Sequence, residues 1–385
     1  MSLRVVDVRG RATGRLILVG DIHGCADQLR ELLVKVHFTN AAVRRCPTLL
    51  TSSSSASSLS TNDPLPSGGG GPTMCIPAAL RLDPLTESAS PLAEDGAADD
   101  VCVFVGDLVN KGPDSYGVVR CLRNIGAIGV LGNHDAVLLR LSEKLRADVP
   151  LTVEETSSSL YPLAMGCPDD VFTFMASVPH ILCFRAYQLL VVHAGIDPSI
   201  SLAAQGVEAV TRMRNLIKAT KYGRGSMSEA AGQRAHVALS LSAAFAAMER
   251  AKFGTSWSAT WSKLACKLSP AATGKEESDS GEIDSGSDRS STNISGDVAE
   301  DGGVKKPKKV DGGGAKWRNR IHPDYAGFTI VYGHDAKRRL QVHPYAYGLD
   351  SGCVYGGELT GLVWPSTLVS VPGWANPSPH HKSKV

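Results

Sequence analysis

The 385-residue sequence lacks the features of membrane, secreted and nucleic-acid-coating proteins. No run approaches the roughly 18–20 apolar residues of a membrane span, and the first ten residues lack the apolar stretch of a signal peptide. Lys and Arg number 40 against 38 Asp and Glu, so the net charge is only +2 and there is no basic excess for holding a nucleic-acid backbone. The nine cysteines are scattered without a Cys-x-x-Cys pair, which is typical of reduced thiols. We therefore expect a cytoplasmic globular protein with no membrane partner and no stable nucleic-acid partner.

Two internal stretches lack the hydrophobic periodicity of a packed core. One is rich in Ser, Gly and Pro, and the other joins an acidic, Ser-rich part to Lys305–Lys309 and three glycines. Neither carries enough patterned apolar residues to offset the entropy of ordering the chain. We predict disordered insertions at about 41–100 and 269–315 and a flexible tail at 372–385, within a single domain spanning 1–371. Lys305–Lys309 matches a nuclear localisation patch, although a solvated linker fits its Gly-rich surroundings better.

Five short, β-rich apolar runs each end in a small residue that is followed by a polar side chain. Continuous apolar runs of this kind are typical of strands buried on both faces. After the first run, apolar residues recur at helical spacing from Cys25 to Val36, so strands and helices alternate. This pattern predicts an α/β fold whose site lies at the carboxyl ends of its strands. The polar residues at these ends are Asp21, His23, Asp107, Asn133, His193 and His334.

These six side chains are oxygen and imidazole ligands, which suit Mn, Fe, Zn, Co or Mg, and no thiolate is among them. One carboxylate can bridge two metal ions about 3.5–4 Å apart, and such a pair stabilises both the attacking and the leaving oxygen of a displacement at phosphorus. Taken singly, an Asp-x-His after a strand is more often a turn or helix cap, and a lone buried His is usually a core residue. Five strand ends that each carry a ligand type favour the metal site.

The chain resembles the calcineurin-like metallophosphoesterases in five motifs that occur in the family's order: Asp21–Gly24, Gly106–Asp107, Gly132–Asp135, His193–Gly195 and Gly333–His334. Longer segments are similar to the ApaH-like phosphatases of eukaryotic type, which are relatives of the bacterial symmetrical diadenosine tetraphosphatase. These segments are Gly106–Ser115, Val130–Asp135 and Leu349–Thr360. The resemblance implies two packed β-sheets flanked by helices. It also implies a phosphoanhydride hydrolase acting on dinucleoside polyphosphates, capped RNA ends or inorganic polyphosphate.

The resemblance further implies a role for each motif residue. The first divalent ion would be held by Asp21, His23 and Asp107, and the second by Asp107, Asn133, His193 and His334. A hydroxide bridging the two ions would attack phosphorus in line with the leaving group. His134 would be the general acid, and Asp135 would be the carboxylate that orients it and keeps its imidazole protonated.

Two positions depart from the pattern of the Ser/Thr protein phosphatases. Where those enzymes carry a phosphate-binding arginine, this chain has Lys111 in one motif and Leu131 in the other. Lysine supplies a point charge and cannot form the two parallel hydrogen bonds of an arginine to a phosphate. This difference argues against a phosphoprotein substrate, so a Ser/Thr protein phosphatase is the alternative hypothesis. Arg214, in a Met-Arg-Asn shared with the eukaryotic ApaH-like group, and Tyr355, in a Gly-rich loop at the family's site mouth, are the other predicted substrate contacts. A non-catalytic scaffold is disfavoured because every ligand position is retained.

Overall fold

The computed structural model describes residues 2–51, 97–218, 235–236, 245–248, 254–268 and 321–375. The predicted insertions and tail lie outside the described residues over 52–96, 269–320 and 376–385, and so does Lys305–Lys309. Their disorder stays a prediction.

The edges of the first insertion and of the tail differ from the predicted boundaries. Residues 41–51 contain a short helix at Ala41–Arg45 and a 3₁₀ turn at Pro47–Leu49. Asn40 caps that helix by accepting a hydrogen bond from the backbone N–H of Val43, and a capped turn can form without an apolar period. At the other end, Pro372 is the last residue of a strand and not the first residue of a tail.

The strands, in chain order, are β1 (Val5–Val8), β2 (Leu16–Val19), β3 (Val101–Phe104), β4 (Ile128–Gly129), β5 (Ile181–Phe184), β6 (Leu189–Val192), β7 (Asn215–Lys218), β8 (Ala235–His236), β9 (Phe245–Met248), β10 (Thr255–Ser256), β11 (Thr329–Tyr332), β12 (Gln341–His343), β13 (Ala346–Gly348), β14 (Glu358–Val363) and β15 (Thr367–Pro372). The helices are α1 (Ala26–Lys35), α2 (Ala41–Arg45), α3 (Ser115–Asn124), α4 (Asn133–Arg146), α5 (Val153–Thr156), α6 (Tyr161–Met165), α7 (Asp169–Ser177), α8 (Val207–Arg212) and α9 (Trp257–Leu268).

Two mixed β-sheets form the centre of the protein. One has the strand order β15-β14-β2-β3-β4, with β2, β3 and β4 parallel, and the other has the order β1-β5-β6-β11-β13-β12, with β6, β11 and β13 parallel. A small third sheet, β10-β7-β9-β8, was not predicted. The expected pair of packed sheets is confirmed.

Alternate residues of the central strands face two different layers. In β2, Leu16 and Leu18 join an apolar cluster drawn from both large sheets, whereas Ile17 and Val19 belong to the cluster that includes α1 and α3. This period of two places every side chain of β2 in the core, which is why the strand reads as a continuous apolar run. The sheets therefore pack face to face with helices on their outer sides.

The helices follow the predicted apolar spacing. In α1 the side chains of Leu29, Leu32 and Leu33 are buried, as their i, i+3, i+4 spacing indicates. The Asp114 carboxylate caps α3 by accepting a hydrogen bond from the Gly117 N–H at 2.8 Å. Among the described residues, no helix has the length and apolar character needed to cross a membrane.

Candidate active site

The carboxyl ends of strands from both large sheets meet at one place. Asp21 follows β2, Asp107 follows β3, His193 follows β6 and His334 follows β11, while Asn133 is the first residue of α4. All but Asn133 are buried. Buried carboxylates and imidazoles are costly unless they are paired or bind a metal, so this cluster has a functional explanation and not a packing one.

Several site residues have left-handed backbone conformations. The φ angles are +48° at His23, +52° at Asp107 and +71° at His334. Non-glycine residues adopt this region at a cost of about 1–3 kcal/mol, and they concentrate at functional sites where the surrounding structure holds them there. Each of these three residues lies within four residues after the end of a buried strand.

Asp107 lies between two groups of metal-ligand atoms. One group contains His23, Asp107 and His134, and the other contains Asp107, His193 and His334; within each group the ligand atoms lie within 4.8 Å of one another. Asp107 Oδ2 is 3.4 Å from His23 Nε2, and Asp107 Oδ1 is 3.5 Å from His193 Nε2. Burial alone would raise the pKa of Asp107, but His193, His134 and His23 hold it well below its usual range. A carboxylate with one oxygen towards each group has the geometry of a bridging ligand.

Backbone carbonyls determine which ring nitrogen each of these histidines offers. The Nδ1–H of His23 donates to Val109 O at 3.0 Å, and the Nδ1–H of His193 donates to Val105 O at 2.8 Å. The Nε2–H of His334 donates to the carbonyl of Arg212 at 3.1 Å. The opposite nitrogen of each ring therefore carries a lone pair, which is the usual arrangement of metal-binding histidines.

The donor set around Asn133 fits a cation. Asn133 Oδ1 lies 3.2 Å from His193 Nε2 and 3.0 Å from His334 Nδ1. Because both rings donate their other N–H to a carbonyl, the two ring nitrogens that face Asn133 carry lone pairs. Two imidazole lone pairs and an amide oxygen that converge on one point form a donor set that suits a divalent ion with oxygen and imidazole ligands.

The predicted metal ligand Asp21 contacts the backbone of His334. Its carboxylate accepts the His334 N–H, at 3.0 and 3.2 Å from its two oxygens, and it does not belong to either group of ligand atoms. Burial, followed by the charges of Asp350 and Asp107, raises its pKa well above the usual range. His134 lies beside His23 and Asp107 in the group from which Asp21 is absent.

The structure corrects the predicted partner of His134. The Asp135 carboxylate is fully buried and accepts the backbone N–H groups of Leu108, Val109 and Gly132 at 2.9–3.3 Å, so it braces the loop that carries Asp107. Burial and the charge of Asp107 raise the pKa of Asp135 to about 7.

Asn110 is the side chain that contacts the ring of His134. Its Nδ2 lies 2.9 Å from His134 Nδ1, and the His134 backbone N–H donates to Asp107 Oδ1 at 3.0 Å. Burial is the main cause that lowers the pKa of His134 to about 4. Sequence reasoning missed Asn110, although it stands three residues after Asp107 in a motif segment.

The predicted substrate contacts lie on both sides of the site. Lys111 Nζ is 2.8 Å from His23 Nε2 and 5.3 Å from the centre of the Tyr355 ring. Arg214 lies beside the other group of ligands, donating from Nη2 to His334 O at 3.3 Å, with its Nε 3.6 Å from Asp335 Oδ1. Lys111 and Tyr355 thus accompany His23, and Arg214 accompanies His334.

A second residue that sequence reasoning missed is Asp350. It follows β13, is buried, and accepts the Gly352 N–H at 3.1 Å. Burial is the first cause that raises its pKa to about 6, and its charge in turn raises the pKa of Asp21. Its place within the motif segment Leu349–Thr360 is the sequence feature that could have identified it.

Comparison with known proteins agrees with this geometry. The profile of the calcineurin-like phosphoesterases matches residues 83–225, which include Asp107, Asn133 and His193. Over these residues the chain is similar to the calcineurin-like phosphoesterases. The predicted resemblance to ApaH-like phosphatases is confirmed by curated relatives and by a solved structure.

A symmetrical bis(5′-nucleosyl)-tetraphosphatase from Shewanella sp. strain ANA-3 is 37% identical over 102 residues, which is 26% of this chain. The match spans about a third (35%) of that relative. The relative of the same name from Photorhabdus laumondii is 25% identical over 356 residues, covering 90% of this chain and 92% of the relative. A crystal structure of a candidate diadenosine tetraphosphatase has 29% identity and a TM-score of 0.55, and the match covers 97% of this chain and all of that chain.

Proposed function

We propose that this chain is a metal-dependent phosphoanhydride hydrolase with two divalent ions, and that it cleaves dinucleoside polyphosphates or chemically related capped RNA ends and polyphosphate. The observation that carries the proposal is the position of Asp107 between two groups of ligand atoms. A shared buried carboxylate with imidazoles on both sides is the arrangement that a pair of divalent ions requires.

The side chains around Asp107 divide into ligands and substrate groups. His23, His193 and His334 direct lone pairs into the site, and Asn133 adds an amide oxygen. Two divalent ions bound there would neutralise charge on the transferring phosphoryl group and make water a better nucleophile. Asp21, which contacts the backbone N–H of His334, supplies a further carboxylate at the edge of this ligand set.

The remaining polar groups are suited to an anionic substrate. The Lys111 ammonium, held between His23 and the Tyr355 ring, offers positive charge to a phosphate oxygen. Arg214 adds a second cation near His334. His134, which lies beside Asp107 and His23, is the group that would donate a hydrogen bond to the leaving oxygen.

The substrate class follows from the relatives and from Lys111. The matched curated relatives are named as symmetrical bis(5′-nucleosyl)-tetraphosphatases, which act on a chain of phosphoanhydrides. A lysine at position 111 binds a phosphate oxygen as a point charge and does not form the two parallel hydrogen bonds of an arginine. Both features favour an anhydride over a phosphoserine substrate.

The proposal is tested with the purified full-length protein, Mn²⁺ and four substrates. These are diadenosine tetraphosphate, inorganic polyphosphate, a capped oligonucleotide and a phosphoserine peptide, with product analysis for each. We expect turnover of one or more anhydrides at a kcat/KM at least about tenfold above that of the phosphopeptide. Preferential hydrolysis of the phosphopeptide would support the protein-phosphatase alternative, and no turnover of any substrate would support the scaffold.

The variant Asp107→Asn tests the shared carboxylate. Loss of the bridging charge should lower kcat by roughly 10²-fold or more and reduce the bound metal from about two ions to one or fewer. The exposed Asp148→Asn is the matched control, because it removes the same charge away from the site. Elemental analysis that finds two ions in an Asp107→Asn protein of near-normal rate would contradict the binuclear centre.

A further inference from the structure

We propose that Asn110 holds His134 as a singly protonated imidazole with its hydrogen on Nε2. His134 then assists the reaction by donating a hydrogen bond to the departing oxygen, without transferring a proton to it. The consequence for the substrate rests on the proposed function, whereas the state of the imidazole rests on the contacts of Asn110 alone.

The contacts of the Asn110 side chain fix the orientation of its amide. Its Oδ1 accepts the backbone N–H of Lys111 at 2.9 Å, and its Nδ2 lies 2.9 Å from His134 Nδ1 and 3.1 Å from Ser159 Oγ. The two hydrogens of the amide nitrogen therefore have one acceptor each. The reversed amide would set Nδ2 against the Lys111 N–H, two donors face to face, so the contact with Lys111 selects the orientation.

The orientation of the Asn110 amide determines which nitrogen of the His134 imidazole carries hydrogen. Because Nδ2 donates to it, His134 Nδ1 must carry a lone pair, and the ring hydrogen of the neutral imidazole is then on Nε2. The other three site histidines have the opposite surroundings, since each donates a ring N–H to a backbone carbonyl. His134 is thereby distinguished from the ligands even though it lies beside His23 and Asp107, because a nitrogen that carries hydrogen has no lone pair for a metal.

A neutral His134 imidazole limits the leaving groups that the site can assist. A neutral imidazole that lost its Nε2 hydrogen would become an anion, and the Asn110 amide has no proton to restore. In the bond-breaking step the water oxygen forms the new bond to phosphorus, its released proton passes to solvent, and the electron pair of the broken P–O bond stays on the departing phosphate. That phosphate has a conjugate acid of pKa about 6 and is stable without protonation, needing only the hydrogen bond. A serine alkoxide is far more basic and needs a proton.

Asn110→Asp is the test variant because it changes one atom in the contact. Asn110 has φ +75°, a region that Asp tolerates almost as well as Asn, and its backbone N–H to Ser115 Oγ is unaffected. The carboxylate accepts and cannot donate, so His134 Nδ1 must become the donor. The matched control is Asn124→Asp, which introduces the same charge on the exposed end of α3.

The direct measurement is ¹⁵N NMR of the histidine rings in the full-length protein loaded with diamagnetic Zn²⁺. His134 is assigned by the signal that disappears in His134→Gln. We expect a bare Nδ1 and a protonated Nε2 in the wild-type protein and in Asn124→Asp, and a protonated Nδ1 in Asn110→Asp. A protonated Nδ1 in the wild-type protein, or the same pattern in Asn110→Asp, would overturn the proposal.

The second measurement is the ratio of kcat/KM for a phosphoserine peptide to that for diadenosine tetraphosphate. We expect Asn110→Asp to raise this ratio at least about tenfold, since general acids contribute about 10²–10⁴-fold where a leaving group needs a proton, and Asn124→Asp to leave it unchanged. An unchanged ratio in Asn110→Asp, with Nδ1 protonated, would refute the hydrogen-bond-only role. If the wild-type protein cleaves neither substrate, the proposed function fails and the NMR result alone decides the state of the imidazole.

Discussion

At the scale of single residues, the partner of each ring nitrogen carries more functional information than the identity of the ring. Four histidines gather at Asp107, and residue type alone does not separate them. Three of the rings donate one N–H to a backbone carbonyl, which leaves a lone pair on the other ring nitrogen. The His134 ring instead accepts a hydrogen bond from the Asn110 amide, so its other nitrogen carries the hydrogen. The metal-binding and substrate-facing histidines are thus distinguished by groups that do not themselves touch metal or substrate.

The first prediction for a single residue concerns the charge of Lys111. Replacing it with Met keeps the length of the side chain and removes the charge held against His23 and Tyr355. We expect Lys111→Met to lower kcat/KM for diadenosine tetraphosphate by about 10²-fold, because charge placed where the phosphoryl group develops charge contributes about 10²–10³-fold. The exposed Lys337→Met serves as the control in the same steady-state assay. A Lys111→Met rate within about threefold of wild type would remove Lys111 from the substrate contacts.

The partner of His134 marks where residue-level prediction from sequence fails. The run Asn133-His134-Asp135 suggests that neighbours in sequence cooperate, but these residues open helix α4, where successive side chains point about 100° apart. His134 and Asp135 therefore face different surroundings. Asn110, which contacts His134, and the next residue, Lys111, both have positive φ. No periodic pattern in the sequence predicts a turn of that kind.

At the scale of elements, the ends of the strands were predictable and the sheet edges were not. The apolar runs of β2, β3, β6 and β11 are buried on both faces, so they stand out in the sequence together with the ligand that follows each of them. The antiparallel pair β14 and β15 lacks such runs, because Glu358 and Thr360 interrupt the apolar residues of β14 and most of β15 is only partly buried. A strand can therefore be recognised from the sequence when it is buried on both faces.

The residues that directly follow β2 and β11 approach each other closely, and this contact gives the prediction for the elements. Gly333 follows β11 and lies beside Asp21, and a Cβ at Gly333 would lie 1.9 Å from Asp21 Oδ1. Gly333→Ala must therefore displace the carboxylate, and we expect Mn²⁺ to bind at least about tenfold more weakly, measured by calorimetric titration. Gly166→Ala is the control, since its added Cβ would have no neighbour nearer than 3.9 Å among the described residues.

Circular dichroism should show that Gly333→Ala retains the fold, because the two sheets keep their apolar interface. Wild-type Mn²⁺ affinity in this variant would mean that Asp21 does not support the metal site.

At the scale of the whole molecule, the described structure joins segments that lie far apart in sequence. β1, near the start of the chain, pairs in parallel with β5, so residues about 176 positions apart form one sheet. His180 forms two hydrogen bonds with Arg4 at the junction of β1 and β5. Its backbone N–H donates to Arg4 O at 2.9 Å, and its Nδ1 accepts the Arg4 N–H at 3.1 Å. Its Nε2 has no partner among the described residues, and the ring is fully buried.

Burial, reinforced by the charge of Arg4, lowers the pKa of His180 to about 4. The folded protein then binds a proton at this site less readily than the unfolded chain, whose histidines titrate near pH 6.5. The stability contributed by the neutral ring is therefore complete above about pH 6.5 and is lost as the pH falls from about 6.5 to 4. A depression of that size corresponds to at most about 3 kcal/mol, so acid should loosen the pairing of β1 with β5.

The variant His180→Asn isolates this effect, because its amide oxygen can accept the Arg4 N–H while the titrating group is gone. Urea unfolding at pH 7 and pH 4.5 gives the loss of unfolding free energy on acidification for each protein, and the other histidines cancel in the difference. We expect the loss to be about 2 kcal/mol smaller in His180→Asn than in the wild-type protein. The exposed His37→Asn should behave as the wild-type protein does. Equal losses in His180→Asn and wild type would show that the junction of β1 with β5 does not depend on a neutral His180, and that the acid sensitivity of the fold lies elsewhere.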